Sequence, residues 1–173
     1  MIKKGMGLSM EIERKYQINN IPGELSQYES KKIEQGYLCH NPTLRIRKSN
    51  EDYILTYKSK FGIEKRKENS AIMNNEVELP LTETAYYELK AKTEGNIIHK
   101  TRYLIPLGNG LTAELDVFEE QLQGLVFVEV EFPDDETAEV FLPPEWIGKD
   151  LSSDKRFTNY NLSKLSNYKE LDL

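Results

Sequence analysis

Residues 10–18, which read Met-Glu-Ile-Glu-Arg-Lys-Tyr-Gln-Ile, decide how the fold of this chain is interpreted. Successive side chains of a β-strand point to opposite faces, so Glu11, Glu13 and Lys15 share one face while the other face is mostly apolar. Taken alone, this pattern is typical of a surface strand that shows its charges to water. The rest of the chain favours another interpretation, because the same alternation returns in strand after strand.

The composition is that of a globular chain of 173 residues, 38% hydrophobic and 30% charged, long enough for one domain with a sizeable core. The formal net charge of −6 argues against a general nucleic-acid binder, which needs a basic face. The single cysteine, Cys39, excludes an intramolecular disulfide and a cysteine-based zinc site. The two histidines, His40 and His99, lie too far apart in sequence for metal-ligand spacing.

The sequence contains no apolar run long enough to cross a membrane, and its first nine residues are too short and too broken for a signal peptide. We therefore expect a cytoplasmic protein without a membrane partner. No repeat, low-complexity segment or linker divides the sequence. We interpret residues 1–9 as a loosely ordered leader and residues 10–173 as a single domain.

Alternation and turn residues predict eight strands, at 10–18, 30–38, 43–48, 53–58, a segment ending at 75–79, 96–107, 111–119 and 125–132. Helices are predicted at 82–94, with Thr82 as N-cap and Gly95 closing the C-terminus, and at 134–141. A last helix begins at Ser152 or Ser153 and runs to about Lys164, and a short helical segment is placed at 24–27.

Six of the eight strands carry charge at alternate positions, and the fourth adds Lys58. The pairs are Glu11/Glu13 (followed by Lys15), Arg45/Arg47, Glu76/Glu78, Lys100/Arg102, Glu114/Asp116 and Glu129/Glu131. Two architectures fit this pattern. In an open sheet the charged face would meet water, whereas in a closed barrel it would line the lumen under an apolar outer face covered by helices.

The sorting of charge by sign favours the barrel. Most of these strands are acidic or basic along the shared face, whereas a solubilising surface mixes the signs. Like charges placed across a sheet repel, so the cluster needs counter-ions. A divalent cation would satisfy the carboxylates, and phosphate oxygens match arginine side chains. These residues predict a metal-dependent, phosphate-handling site inside a barrel.

The hairpins give a test of the inward orientation. Arg102 and Asp116 must share the lumen, which predicts a three-residue loop, 108–110, with Gly110 in a left-handed conformation. This loop would pair Arg102 with Asp116 and Leu104 with Glu114. The same parity predicts an even-length loop between the third and fourth strands. Arg45 would then lie opposite Lys58 if that turn centres on residues 51–52.

At this point the sequence resembles the CYTH superfamily, the triphosphate tunnel metalloenzymes. Residues 11–15, Glu-Ile-Glu-Arg-Lys, look like the ExExK signature of that family, and the charged pairs above follow in order from residue 10 to about residue 164. The end of the chain, at 142–148 and 153–159, looks like the compact bacterial members. The resemblance implies a mainly β fold, an eight-stranded closed antiparallel barrel with a charged lumen and a few covering helices.

The resemblance also implies hydrolysis of a linear triphosphate, either inorganic tripolyphosphate or a nucleoside triphosphate, with Mg²⁺ or Mn²⁺. The implied metal ligands are Glu11, Glu13, Glu129 and Glu131, with Asp116 nearby. The implied phosphate ligands are Lys15, Arg45, Arg47, Lys58, Lys100 and Arg102. The implied catalytic set is Lys15, Arg45, Lys58, Arg102 and Asp116, supported by Glu76, Glu78 and Glu114.

Two rival functions stay open. An adenylyl cyclase of this family would use the same barrel but release cyclic AMP and pyrophosphate from ATP. A non-catalytic polyphosphate-binding module is the third interpretation, although the number of carboxylates argues against it. Thiamine triphosphate would be a narrower hydrolase substrate, and a homodimer stays open as the assembly state.

Some charged residues have simpler interpretations. Strand parity predicts that Arg14 points outward, either into solvent or toward a helix, and that His99 is packed rather than catalytic. Residues 154–156, Asp-Lys-Arg, would either cap the last helix or form a plug at the tunnel mouth.

Overall fold

The computed structural model describes residues 8–171 and shows a closed antiparallel β-barrel. Its strands are β1 (Ser9–Ile18), β2 (Glu29–Cys39), β3 (Thr43–Ser49), β4 (Asp52–Ser59), β5 (Ile72–Pro80), β6 (Glu94–Gly108), β7 (Leu111–Phe118), β8 (Val126–Phe132) and β9 (Ile147–Asp150). The α-helices are α1 (Glu83–Lys90), α2 (Asp135–Val140) and α3 (Asn159–Leu162), and single 3-10 turns span Leu25–Gln27, Glu120–Leu122, Lys155–Phe157 and Tyr168–Leu171.

The barrel closes because β1 pairs with β8 on one edge and with β5 on the other. The strand order is β5-β4-β3-β2-β6-β7-β8-β1, so the predicted eight-stranded closed barrel is confirmed. The ninth strand was not predicted. β9 pairs with β1 only at Tyr16 and Ile18, and a four-residue strand carries too little alternation to be recognised from sequence.

The β6–β7 hairpin confirms the predicted pairing, with Arg102 opposite Asp116 and Leu104 opposite Glu114. Gly110 adopts the predicted left-handed conformation, with φ of 76°. The predicted three-residue loop is wrong, because Gly108 pairs with Leu111 across a two-residue loop. The register shifts between Pro106 and Gly108, so the odd residue is accommodated as a bulge inside β6.

The β3–β4 hairpin confirms an even-length loop but not the predicted partner of Arg45. Ser49 pairs with Asp52, and Asn50 in the turn has a left-handed φ of 53°. The turn therefore centres one residue earlier than predicted, which moves each partner by two positions. Arg45 lies opposite Thr56, while Lys58 lies opposite Thr43, still on the same face.

The two ends of the barrel differ in what covers them. The β3–β4 and β6–β7 turns lie at one end, which we call the hairpin end. The β2–β3 turn, the β4–β5 loop and residues 152–161, which we call the plug segment, lie at the other, the plug end. At the plug end the charged alternate positions give way to Ile98, Phe118 and Phe127, which form one buried apolar cluster with Phe157 and Leu162.

The helices differ from the prediction mainly at their ends. Thr82 caps α1 as predicted, accepting a hydrogen bond from the Ala85 amide, but α1 ends at Lys90 and β6 has begun by Gly95. α2 follows its predicted cap, Asp134. The predicted last helix is wrong: two caps, Asp154 and Thr158, divide it into a 3-10 turn and the short α3.

The outer apolar face of β1, β7 and β8 forms a second buried cluster, which includes Ala138 of α2. The predicted leader spans residues 1–9, and its residues 1–7 lie outside the described part of the chain. Its last residue, Ser9, already belongs to β1. Within residues 8–171, none of the helices is long and apolar enough to cross a membrane.

Candidate active site

A cavity of about 880 Å³ occupies the barrel interior. Twelve of the fourteen predicted site residues line it, so strand parity places them on one continuous wall. These are Glu11, Glu13, Lys15, Arg45, Arg47, Lys58, Glu76, Glu78, Arg102, Glu114, Glu129 and Glu131. Lys100 and Asp116 do not line it.

Lys100 and Asp116 lie on the same inward faces of β6 and β7 as Arg102 and Glu114, but each is only about 1% exposed. The Lys100 ammonium donates to Asp116 at 2.5 Å, and Arg102 donates two hydrogen bonds of 2.7 Å to the same carboxylate. Burial lowers the pKa of Lys100 to about 8, with Asp116 opposing and Arg102 adding to the shift. Asp116 therefore orients Arg102, and Lys100 compensates the charge of Asp116.

Three of the cations that line the cavity, Lys15, Lys58 and Arg102, are already paired with carboxylates. Lys58 contacts Glu11 at 2.5 Å and Glu76 at 2.9 Å. Lys15 contacts Glu129 at 2.9 Å and donates to the Phe157 carbonyl oxygen at 2.8 Å.

Arg102 carries the densest set of ion pairs. Besides Asp116, its guanidinium contacts Glu129 at 2.6 Å and pairs with Glu114. It thus joins β6, β7 and β8 across the wall of the barrel. Burial alone would lower the pKa of Arg102, but these carboxylates hold it well above its ordinary value.

Arg45 and Arg47 differ from Lys15, Lys58 and Arg102 because neither forms an ion pair among residues 8–171. Arg45 is buried and donates one hydrogen bond, of 3.3 Å, to the Thr56 hydroxyl. The Nε atoms of both arginines are buried and have no hydrogen-bond partner among the described residues. Burial, with Arg45 and Arg102 nearby, lowers the pKa of Arg47 to about 10. Two neighbouring guanidinium groups with unused donors form a site that requires an anion.

The carboxylates require a cation. Glu13 lies opposite Glu131 across β1 and β8. Burial raises the pKa of Glu13 to about 7, and Glu11 and Glu129 add to the rise against the opposing effect of Lys58. Hard divalent cations prefer carboxylate oxygens, so this donor set fits such a metal. Among residues 8–171 the acidic groups do not form a preassembled cage of three or more metal ligands. Glu11 and Glu129 would have to leave their lysine partners to bind one.

The structure adds lining residues that the sequence analysis did not select. The plug segment lines the cavity with Ser152, Ser153, Lys155, Thr158, Asn159, Tyr160 and Asn161. Because Lys155 lines the cavity, its position agrees with a plug at the tunnel mouth rather than with a helix cap alone. Tyr37 and Thr43 also line the cavity, and the parity of Arg45 on β3 was the signal that could have identified Thr43.

The outer face confirms the simpler interpretations of two residues. Arg14 points outward to the helix side, where it donates to the Ala138 carbonyl at 3.1 Å and pairs with Asp150 at 2.8 Å. His99 is packed between Glu34 and Glu120 at 3.1 Å each and does not line the barrel cavity.

The fold and the cavity define a closed antiparallel barrel whose ionic interior suits a polyanion together with a cation. The model of the CYTH domain matches residues 9–165, and the chain belongs to this family. Two relatives, both named inorganic triphosphatase, come from Nitrosomonas europaea and Acetivibrio thermocellus. The first is 37% identical over 88% of this chain and 96% of its own length, and the second is 32% identical over 94% and 100%.

The chain is also similar to a solved structure, the crystal structure of the inorganic triphosphatase NE1496. The TM-score is 0.63 at 34% sequence identity, with 90% of this chain and 95% of that chain covered.

Proposed function

We propose that this protein hydrolyses the terminal phosphate of linear triphosphates, with inorganic tripolyphosphate as the first substrate to test. Arg45 and Arg47 carry this proposal, because their guanidinium groups have no ion-pair partner among residues 8–171 and lie in a cavity that also holds paired lysines and carboxylates. The names of the two relatives support the same reaction.

The side chains suit an extended phosphate chain. A triphosphate carries about four to five negative charges near neutral pH. Arg45 and Arg47 would bind it through bidentate contacts. Lys15, Lys58 and Arg102 would stay in their ion pairs and attract it through their positive electrostatic potential. The cavity wall would hold the chain extended, which aligns its terminal phosphorus with an attacking water.

The family is generally metal-dependent, and we propose Mg²⁺ or Mn²⁺ as the metal. Glu11, Glu13, Glu129 and Glu131 would hold it. When bound, the metal would neutralise phosphate charge and activate a water molecule. The buried Glu13, with its pKa near 7, is stabilised in its ionised form by any cation that binds beside it.

Product analysis tests the reaction. The protein is incubated with tripolyphosphate or ATP and either metal, and phosphate, pyrophosphate, ADP and cyclic AMP are quantified. We expect tripolyphosphate to give phosphate and pyrophosphate in equal amounts. Cyclic AMP from ATP would make the protein a cyclase, and binding without any product would make it a polyphosphate-binding module.

A matched pair of variants links the products to the cavity. Arg47→Gln removes one of the two cavity guanidinium groups that have no ion pair within residues 8–171. Lys48→Gln removes a charge from the next residue of β3, which faces outward. The rate of hydrolysis should fall in Arg47→Gln and remain at the wild-type value in Lys48→Gln.

A further inference from the structure

The two ends of the cavity differ in charge. The lining near the hairpin end mixes cations with carboxylates: Lys31, Arg47, Arg102, Asp52, Glu78, Glu114 and Glu131. The segments that form the plug end are the β2–β3 turn with the start of β3, the residue after β4 and the plug segment. Among the described residues, these segments line the cavity with two lysines, Lys60 and Lys155, and with no carboxylate. Their other lining residues are polar or aromatic: His40, Asn41, Thr43, Ser152, Ser153, Thr158, Asn159, Tyr160 and Asn161.

Both plug-end lysines are exposed, and neither forms an ion pair among residues 8–171. Lys60 follows directly after β4, two residues beyond Lys58 of the phosphate-binding set. Lys155 begins the 3-10 turn whose Phe157 carbonyl accepts a hydrogen bond from Lys15. Each free ammonium is therefore connected by a short stretch of chain to a cation inside the cavity.

The plug segment is held beside the β2–β3 turn, where it frames this end of the cavity. The ring of Tyr160 on α3 stacks on His40 with centroids 4.0 Å apart and planes at 13°. Tyr37 packs edge-on against the same tyrosine at 5.5 Å. Because these contacts fix α3, the preceding turn presents Lys155 from a defined position rather than from a free loop.

Electrostatics then selects the end at which a polyanion is attracted. The chain carries a formal net charge of −6, so a triphosphate is repelled by the molecule as a whole. Screening limits this repulsion to about 8 Å at physiological salt, so the local charge of each mouth decides the approach. The hairpin end carries both signs of charge and gives an anion little net attraction, whereas Lys60 and Lys155 at the plug end attract one.

We propose that Lys60 and Lys155 form an anion subsite at the plug end, which captures linear polyphosphates and holds the units of chains longer than three phosphates. The proposal rests on the proposed function of the cavity for its substrate class. It adds an entry side and a binding site outside the residues that contact the triphosphate.

The first test is kinetic and uses charge reversal of both lysines, Lys60→Glu with Lys155→Glu. The KM for tripolyphosphate should rise about tenfold at low ionic strength and approach the wild-type value at high salt, with kcat unchanged. The control is Lys31→Glu at the hairpin end, for which we expect less than a twofold change. An equal rise of KM in the control, or an unchanged KM in the double variant, would overturn the assignment of the entry side.

The second test is binding, which does not depend on turnover. Calorimetry without metal compares tripolyphosphate with pentapolyphosphate. We expect wild-type protein to bind the longer chain more tightly, and the double variant to lose this preference. If wild-type protein binds the longer chain more tightly but hydrolyses neither chain, the proposed function fails while the subsite stands. If both chains bind wild-type protein equally, the subsite is wrong. Because both lysines are exposed, the double variant should melt at the wild-type temperature.

Discussion

Glu13 lies directly opposite Glu131 across β1 and β8, inside a barrel whose other walls supply arginine and lysine. Two facing carboxylates on one wall repel each other unless a cation is shared between them. Burial has already raised the pKa of Glu13 to about 7. This pair is therefore the part of the cavity where a metal has the greatest effect.

The first prediction follows from carboxylate number. Glu13→Ala or Glu131→Ala should nearly abolish metal-dependent hydrolysis, because affinity for a hard cation depends on the number of oxygen ligands. Both variants should stay folded, since each removes one of several mutually repelling groups. Initial rates over a metal titration measure the effect, with Glu139→Ala on the exposed face of α2 as control. Full activity in either variant would refute the metal assignment.

The second prediction concerns the geometry of Arg45. Arg45→Lys keeps the charge but loses the planar pair of donors, so kcat/KM should fall at least about tenfold, or about 1.4 kcal/mol. Arg66→Lys is the matched control, because Arg66 pairs with Asp135 away from the cavity. If Arg45→Lys has wild-type kinetics, Arg45 contributes only charge or nothing.

The third prediction is a pH dependence of stability without metal. The folded pKa of Glu13, about 7, lies above its ordinary value of 4.5, so the folded state holds this proton more tightly than the unfolded state. Ionising Glu13 therefore costs stability progressively between about pH 4.5 and pH 7, and the full cost remains above pH 7.

Glu13→Gln removes this cost. In denaturant titrations without metal, the variant should be more stable than the wild type at pH 8, and the difference should shrink toward pH 4.5. Mg²⁺ should then stabilise the wild type more than the variant. A difference that is constant with pH would show that Glu13 does not titrate in this range.

The fourth prediction tests whether Asp116 stabilises the fold by pairing with the buried cations. Asp116→Ala leaves Lys100 and Arg102 without their shared buried carboxylate, so stability should fall by about 3–5 kcal/mol. Glu51→Ala in the exposed β3–β4 turn should change stability by less than about 0.5 kcal/mol. Denaturant unfolding measures both variants. Wild-type stability of Asp116→Ala would mean that the interior cations do not depend on this carboxylate.

Much of the barrel could be predicted from sequence because alternation is a local property. Arg102 and Asp116 were placed opposite each other from parity and a glycine-rich loop alone. The partner of Arg45 could not be placed, since a turn that begins one residue earlier moves every pair by two positions. β9 and the break between Asp154 and Thr158 depend on the packing of the plug segment, which has no repeating pattern to reveal it.

The sequence by itself determined which side chains of a strand share a face, because side-chain direction alternates along every strand regardless of what the strand packs against. The sorting of charge by sign then predicted that Glu11, Glu13, Arg45 and Arg47 share a lumen, and the closed barrel confirms it. Only the tertiary structure decided which of the inward charges remain available. Ion pairing depends on neighbours from several strands, so Lys100 is buried in a pair with Asp116, whereas the Nε atoms of Arg45 and Arg47 have no hydrogen-bond partner among the described residues.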